Sequence, residues 1–317
     1  MVDIAGLEQI SPYVRMVRLK KEASMSGKWR DIDNVFTYIA SGSADFILDG
    51  VRCPLHAGNA IIIPPFMTHV IISKGTEALI QYIVHFDFHE SEERKCLVHK
   101  DVLDEDEKQL TISDRENLLK GQAVIGEIPE GDRNQLIFGY LNLLKEFDEN
   151  RLGRNLILKA GCTELIVATL RNCVDIRGEQ DRNRKKTKSW IHIENAMDYI
   201  LGCDLTGNLS NESIAAAIGV STNYLTSMFQ TYLGISLHKY VVNVRIERAQ
   251  QMMLSGKVNV TETANRTGFS SIHVFSKTFK SILGISPSQF MDEIVTKNNG
   301  TDRAEHLKNI AGGFYVD

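Results

Sequence analysis

The chain has 317 residues, a formal net charge of −4 and 43% hydrophobic residues. This apolar content is enough for folded cores and excludes a disordered chain, and the length favours two domains. The five cysteines, at positions 53, 96, 162, 173 and 203, are an odd number without a CxxC pair. They predict reduced structural thiols rather than disulfides or a zinc site, as is typical of a cytoplasmic protein.

No apolar run approaches the roughly 18 residues that a membrane-spanning helix needs. The first five residues lack the charged segment that precedes the apolar stretch of a secretory signal. We therefore expect a cytoplasmic protein that is neither secreted nor membrane-bound.

The first part of the chain is rich in short β-type runs separated by turn residues. The pair Asp49 and Gly50 is typical of a hairpin turn. The pattern predicts a small antiparallel barrel or jelly roll. The predicted strands are 35–41, 45–48, 51–55, 60–63, 70–72 and 79–88.

Polar and aromatic residues of this segment suggest a pocket. Aromatic faces and bidentate polar groups suit a polyol-like ligand, although a place in the core or at the rim is the alternative for each residue. A metal ion needs three or four convergent ligands, and only His85 and Asp87 share a strand face, so we expect no metal, no cofactor and no catalytic residue. The candidate ligand-binding residues are Trp29, Arg30, Tyr38, His69, Gln81 and His85.

Residues 134–176 carry apolar side chains at helical spacing. They predict two antiparallel helices that are separated by a break at Leu152 and Gly153. Such helices either cover the open face of the barrel or form a dimer contact. The polar, charged stretch 177–189 predicts an exposed linker whose Lys and Arg side chains can contact phosphates, and the acidic segment 101–107 is expected to be exposed.

Two stretches near the C-terminus follow one plan about fifty residues apart, at 215–221 and 264–270. In each, a helical run ends at a Gly suited to a left-handed C-cap, and a Ser two residues later, Ser221 or Ser270, can cap the next helix. This is the helix-turn-helix plan, whose second helix fits the major groove of DNA. The apolar rhythm of 237–254, without Pro or Gly, predicts one long helix between the two units.

Residues 191–290 resemble the DNA-binding domain of AraC/XylS-type transcription regulators. The resemblance rests on Arg-Ile-Glu-Arg-Ala at 245–249, Thr-Gly-Phe-Ser at 267–270, Phe-Ser-Lys-Thr-Phe at 275–279 and Gly-Ile-Ser-Pro-Ser at 284–288. Residues 35–88, with Asp49-Gly50, Ile63-Pro-Pro65 and His69, resemble the cupin-type effector domain of the same regulators. The expected fold class is α+β. The expected parts are a sensing and dimerisation domain at 1–176, a linker at 177–189, a double helix-turn-helix domain at 190–296 and an exposed tail at 297–317.

The resemblance places the base-reading positions at Asn223 and Ser227 in the first unit and at His273 and Lys277 in the second. Lys donates to guanine and Asn pairs with adenine. Seven Lys and Arg against eight Asp and Glu in 190–296 predict modest, salt-sensitive binding. The helix faces add further candidates for DNA contact: Thr226, Gln230, Ser271, Ser276, Lys280, Lys239 and Arg245.

The resemblance implies a sequence-specific transcription regulator, an activator by family default, that acts as a homodimer. Its expected partners are promoter DNA, a small-molecule effector, commonly a sugar, and RNA polymerase. Two alternatives stay open at this point. One is a cupin-type sugar-modifying enzyme, and the other is a ligand-independent regulator controlled by a protein partner.

Overall fold

In the computed structural model of the chain, the described residues are 4–22, 26–75, 77–95, 112–149, 151–173, 187–207, 209–254 and 258–298. The chain divides into two compact units. The first unit holds Met1–Lys21, Lys28–Val70 and Lys74–Arg184, and the second holds Lys185–Asp317 with two short segments, Glu22–Gly27 and Ile71–Ser73.

In the described part of the chain, nine strands form two sheets. A five-stranded sheet has the order β1-β8-β3-β6-β9 and a four-stranded sheet the order β2-β7-β4-β5, and β3 pairs antiparallel with both β6 and β8. The six predicted strands are confirmed, whereas β1, β2 and β9 were not predicted. The strands are β1 (Tyr13–Glu22), β2 (Ser26–Trp29), β3 (Asn34–Ser41), β4 (Ser43–Leu48), β5 (Val51–His56), β6 (Asn59–Ile63), β7 (His69–Lys74), β8 (Leu79–Asp87) and β9 (Val124–Glu127).

The described residues of the first compact unit also form four helices, α1 (Ile4–Leu7), α2 (Glu92–Lys95), α3 (Glu130–Glu149) and α4 (Arg154–Arg171). The predicted helix pair is confirmed, with the break at Gly153, whose φ of +82° suits a residue without a Cβ. One face of the five-stranded sheet packs against α3 and α4. Its buried side chains include Phe36, Val84 and Phe86 from the sheet and Tyr140 and Leu165 from the helices.

From residue 187 onward, the described part of the second compact unit consists of helices joined by turns. The predicted order is confirmed: α6 (Asn211–Ile218) and α7 (Thr222–Met228) form one helix pair, α8 (Leu237–Leu254) is the long helix, and α9 (Val260–Arg266) and α10 (Ile272–Leu283) form the other pair. A π-helical turn (Phe229–Leu233) continues α7, and α5 (Lys188–Gly202) and α11 (Pro287–Asn298) flank the whole.

The turns of the two helix-turn-helix units have the same glycine conformation but differ in the position of the serine that caps the next helix. Gly219 and Gly268 both have a φ of +76°, as the C-cap argument requires. Ser221 caps α7 by accepting a hydrogen bond from the backbone N–H of Tyr224. The prediction for Ser270 is wrong because the second turn is one residue longer after its glycine, so that Ser271 caps α10 instead.

Among the described helices, none combines the length and the apolar character that crossing a bilayer would take. Three predicted segments fall wholly or mostly outside the described residues: the acidic stretch 101–107, the linker 177–189 up to residue 186, and the tail beyond residue 298.

Candidate nucleic-acid interface and barrel pocket

The second helix-turn-helix unit is built on a cluster of buried aromatic rings. Phe275 and Phe279 of α10 are buried and contact each other edge to face, and Phe279 makes the same contact with Phe290 of α11. Ile246 and Ala249 of α8 lie in the same cluster. The long helix α8 and the second helix-turn-helix unit therefore share one core, which fixes the position of α10 relative to α8.

The opposite face of α10 is polar and exposed. His273, Lys277 and Lys280 are exposed, and Ser276 is half-buried. Ser271 lies at the N-cap, where its hydroxyl already accepts a hydrogen bond from the N–H of Val274 at 3.2 Å. His273, Lys277 and Lys280 thus present hydrogen-bond donors at the surface of this helix, and the two lysines carry a positive charge.

The first helix-turn-helix unit, α6 and α7, exposes a smaller set of polar side chains. Leu225 and Met228 of α7 are buried, whereas Asn223, Ser227 and Gln230 are exposed. The hydroxyl of Thr226 is half-buried and donates to the carbonyl of Thr222 at 2.8 Å. Asn223 and Ser227 are one helical turn apart, as two residues that contact neighbouring bases need to be.

Arg245, which the sequence suggests as a phosphate contact, makes a hydrogen bond within the protein. It is half-buried on α8, and its Nη2 donates to the carbonyl of Leu205 at 3.3 Å. Burial lowers the pKa of Arg245 from its usual value. This hydrogen bond ties α8 to the chain before α6. Lys239, near the start of the same helix, is exposed.

In the N-terminal compact unit, which contains the two sheets, several candidate pocket residues come together around Trp29. The ring of His69 stacks on Trp29 with centroids 6.0 Å apart, and the buried Lys20 places its Nζ 4.7 Å from the Trp29 ring centre. The Nε of Arg30 donates to the carbonyl of Phe66 at 3.2 Å. Burial lowers the pKa of His69 to about 4, so the ring is neutral near pH 7.

His85 lies next to this group and contacts two carboxylates. Its Nδ1 is 3.1 Å from Oδ1 of Asp33 and 3.9 Å from Oδ1 of Asp31, and Nε2 of His69 is 3.6 Å from Oδ2 of Asp31. All four side chains are at least 95% buried. Imidazole rings and carboxylates thus form one buried cluster.

Asp87, two residues after His85, belongs to a separate ion-pair network. Its two carboxylate oxygens accept hydrogen bonds from the guanidinium groups of Arg15 and Arg94, each with a shortest distance of 2.6 Å. Arg15 also approaches Asp33, with its Nε 3.8 Å from Oδ2. The two arginines neutralise Asp87 and place a positive charge beside the cluster.

Tyr38 was expected in the same pocket as Gln81 and His85, and this expectation is wrong. Neighbouring residues of a strand point to opposite faces. In the pairing of β3 with β8, Tyr38 is opposite Tyr82, and its ring lies 6.0 Å from that ring on the face that packs on α3 and α4. Gln81, His85 and Asp87 lie on the other face, called the inner face below.

The sequence reasoning missed Asp31 and Asp33. They precede β3, and the register that pairs Val35 with His85 brings them to the end of β8. A signal was present, because two aspartates separated by one residue suit a carboxylate pair. Their nearness to His85 depends, however, on which strand lies beside β3, and β8 follows only after four intervening strands.

Two family matches agree with this architecture. A cupin domain matches residues 15–85, and a helix-turn-helix domain matches residues 214–293. The first match covers the strands that form the inner face, and the second begins in α6 and ends in α11. The chain carries a cupin domain in its N-terminal part and a helix-turn-helix domain in its C-terminal part. Its cupin barrel and its double helix-turn-helix unit are those described above.

Several proteins that are similar to this chain are regulators by name. It is 27% identical over 184 residues to the Msm operon regulatory protein of Streptococcus mutans, covering 57% of this chain and 65% of that protein. It is 29% identical over 114 residues to the raffinose operon transcriptional regulatory protein RafR of Pediococcus pentosaceus, covering 36% and 41%. The matches thus span two thirds or less of these relatives' lengths. The chain is also similar to a solved structure of ToxT from Vibrio cholerae, with 14% sequence identity and a TM-score of 0.38. The match covers 88% of this chain and 95% of the ToxT chain.

Proposed function

We propose that this protein is a transcription regulator that binds double-stranded DNA through α7 and α10. The observation that carries the proposal is the repeat itself: two helix-turn-helix units joined by one helix that shares a core with the second. Eighteen residues of α8 measure about 27 Å along the helix axis. Successive turns of the major groove on one side of DNA are about 34 Å apart, a spacing that two units joined in this way can match.

In this proposal the second helix-turn-helix unit contributes more of the base contacts than the first helix-turn-helix unit. His273 and Lys277 are exposed on α10, and Lys277 can donate to both acceptors of guanine. Asn223 and Ser227 of α7 carry no charge, so the first unit adds hydrogen bonds but little attraction to phosphate. Lys280 and Lys239 contact the DNA backbone. Ser271, Thr226, Ser276 and Gln230 complete the surface.

The number of positive charges is low for a DNA-binding domain, and we infer that a homodimer supplies the rest. Doubling the phosphate contacts doubles the number of released counterions and steepens the dependence on salt. Large apolar side chains are exposed on α3, α4 and their turn, which is unusual for a surface with no partner. They are Phe138, Leu141, Leu152, Leu156 and Ile157. A second copy of the chain is the partner that we assign to them.

We further propose that the cupin barrel binds a small-molecule effector, and that the effector is a carbohydrate. Trp29, His69, Gln81 and His85 offer an aromatic surface and polar groups of the kind that sugars require, and Arg30 lies at their edge. The name of one relative, the raffinose operon transcriptional regulatory protein RafR, refers to a sugar, which supports this chemical class. The chain would activate a promoter, together with RNA polymerase, in the cytoplasm.

The effector would act by population shift. A ligand that binds one conformation of the dimer better than another increases the population of that conformation. The DNA half-sites that the dimer can occupy at the same time then change, and the effector and the DNA influence each other's affinity by the same factor. No step of this mechanism needs a catalytic residue, which agrees with a regulator rather than a sugar-modifying enzyme.

Two measurements test the proposal in turn. The full chain is first incubated with fragmented genomic DNA at low and at physiological salt, and the retained fragments are sequenced; a few enriched fragments are expected at both. Thermal unfolding is then followed with raffinose and simple hexoses, where a ligand at 100 times its Kd stabilises the protein by about 2.7 kcal/mol. Trp29→Ala should abolish the shift, and the exposed His56→Gln should retain it. Shifts of equal size in both variants would contradict the barrel site.

A further inference from the structure

Five helices of the second compact unit begin with the same capping geometry but differ in the residue that is capped. In α7, α8, α9, α10 and α11 the side chain of the N-cap residue accepts a hydrogen bond from the backbone N–H three residues later. That third residue is exposed in all five helices. It is Lys239 in α8, Glu262 in α9 and Gln289 in α11, but it is Tyr224 in α7 and Val274 in α10. An aromatic or aliphatic side chain thus stands at this position in the two helices that are proposed to bind DNA.

The stability of α10 does not account for Val274. A Glu or Gln at this position completes a capping box, as Gln289 does in α11, where its Oε1 accepts a hydrogen bond from the N–H of Ser286 at 2.9 Å. A β-branched residue such as valine also has a lower helix propensity than glutamine. Burial does not compensate, because the side chain is 48% exposed. The apolar surface of Val274 is therefore available to a partner.

Val274 borders the polar face of α10. Successive residues of a helix are about 100° apart around its axis, so Val274 lies about 60° from Lys277 and about 100° from His273. Both of these side chains are exposed, whereas Phe275, the next residue, is buried in the aromatic core. A partner that contacts His273 and Lys277 therefore reaches Val274 as well.

Tyr224, at the equivalent position of the first helix-turn-helix unit, is held by α5. Its hydroxyl lies 3.3 Å from Oγ of Ser189, and its ring meets the ring of His192 edge to face with centroids 6.2 Å apart. The side chain of Val274 has no polar atom that could be held in this way. The second helix-turn-helix unit thus presents the more purely apolar contact.

We propose that Val274 contacts the C5 methyl group of a thymine in the major groove, an inference that rests on the proposed binding of DNA through α10. The thymine methyl is the apolar group at the base edges of this groove, where the other positions are hydrogen-bond donors and acceptors. A valine against those polar groups would displace water without replacing its hydrogen bonds. Val274 and Lys277 are about 4.5 Å apart along the helix axis, and base steps are about 3.4 Å. The thymine therefore lies within one or two base pairs of the guanine that Lys277 contacts.

Removal of a single methyl group from the DNA tests this contact. A genomic fragment that the full chain retains is narrowed by footprinting, and each thymine of the protected segment is replaced in turn by deoxyuracil, which lacks only the C5 methyl group. Fluorescence anisotropy gives the Kd for each fragment. At least one replacement should weaken binding by the wild-type chain about fourfold, as expected for one buried methyl group. Val274→Ser should bind the thymine and the deoxyuracil fragments equally at that position.

Two further variants separate this contact from folding. Val274→Gln supplies the capping-box residue, so its Tm should equal or exceed that of the wild type, while its sensitivity to the methyl group is lost. Ile191→Ala removes a side chain that is 42% exposed on α5, and it should keep the fourfold difference. A Tm for Val274→Gln well below that of the wild type would assign Val274 to the fold and overturn the proposal.

The outcomes distinguish this contact from DNA binding itself. Sensitivity to the methyl group that persists in Val274→Ser, or that no thymine shows in the wild type, would overturn the contact and leave the proposed function standing. If the full chain retained no specific fragment, the proposed function would fail and this inference would fail with it.

Discussion

Gly268 lies directly against the carbonyl group of Leu205, so that a Cβ at this position would overlap the carbonyl oxygen. Its φ of +76° is also one that residues with a side chain rarely adopt. The second helix-turn-helix turn is thus held against the chain before α6, where Arg245 also donates its hydrogen bond.

Replacement of Gly268 by alanine should therefore destabilise the second helix-turn-helix unit by roughly 3 kcal/mol. Both the positive φ and the overlap of the new Cβ with the carbonyl oxygen of Leu205 contribute to this loss. Gly219 is a matched control: it has the same φ, but no atom of the described residues lies within 4 Å of the place of a Cβ. Gly219→Ala should cost about 1 kcal/mol. Urea unfolding followed by the fluorescence of the buried Trp190, in a Trp29→Phe background, measures both. Equal losses would show that the contact with Leu205 has no energetic effect.

Arg245 and Lys239 should separate stability from DNA binding. Arg245→Ala leaves the carbonyl of Leu205 without this donor and should lower the free energy of unfolding by about 1 to 3 kcal/mol. It should not alter the salt dependence of DNA binding. Lys239→Ala should leave unfolding unchanged and reduce the slope of log K against log salt by about one. A reduced slope for Arg245→Ala instead would restore its role as a phosphate contact.

Glu116 should make the stability of the first unit depend on pH. Its carboxylate accepts hydrogen bonds from the N–H groups of Phe88 and His89 at 2.8 and 2.7 Å, and burial raises its pKa to about 7. The folded state therefore holds this proton more tightly than the unfolded state, whose pKa is near 4.5. The stabilising contribution is complete below pH 4.5 and is lost as the pH rises to 7, by at most about 1.4 kcal/mol per pH unit.

Glu116→Gln removes the titrating group while keeping an oxygen that can accept one of the two hydrogen bonds. The difference in unfolding free energy between wild type and variant should thus shift in favour of the variant between pH 5 and pH 8. Urea unfolding at several pH values gives this difference directly, and other titrating groups cancel in it. A difference that stays constant with pH would show that Glu116 does not titrate in this range.

Leu156 should be part of the dimer contact. Its side chain is 73% exposed on α4, close to the fully exposed Leu152. Leu156→Asp places a charge in the proposed apolar contact and should shift the protein toward monomer in sedimentation equilibrium, with a Kd raised at least tenfold. Asn155→Asp introduces the same charge at the neighbouring exposed position and should have a much smaller effect. Dimers of equal stability in both variants would place the interface elsewhere.

The sequence predicted those features that depend on local pattern. Helix periodicity, glycine caps and alternating strands identified α3, α4, α6 to α10 and six strands. It failed where tertiary context decides: Ser271 replaces Ser270 because one turn is longer, and Tyr38 lies on the helix-packed face because of strand pairing. The meeting of Asp31, Asp33 and His85 depends on β8 lying beside β3, which no local pattern shows.

The affinity of the full chain for an enriched genomic fragment, compared with that of a His273→Ala, Lys277→Ala double variant, tests the central claim most directly. Fluorescence anisotropy at physiological salt, against an unrelated fragment of equal length, measures specific and non-specific binding together. The variant should lose at least tenfold in specific affinity, since each base contact is worth about 1 to 3 kcal/mol. Lys145→Ala, which removes one charge from an exposed position on α3, should bind as wild type does. Unchanged specific binding by the double variant would contradict the assignment of α10 as the reading helix, and binding that does not distinguish the two fragments would contradict sequence-specific recognition.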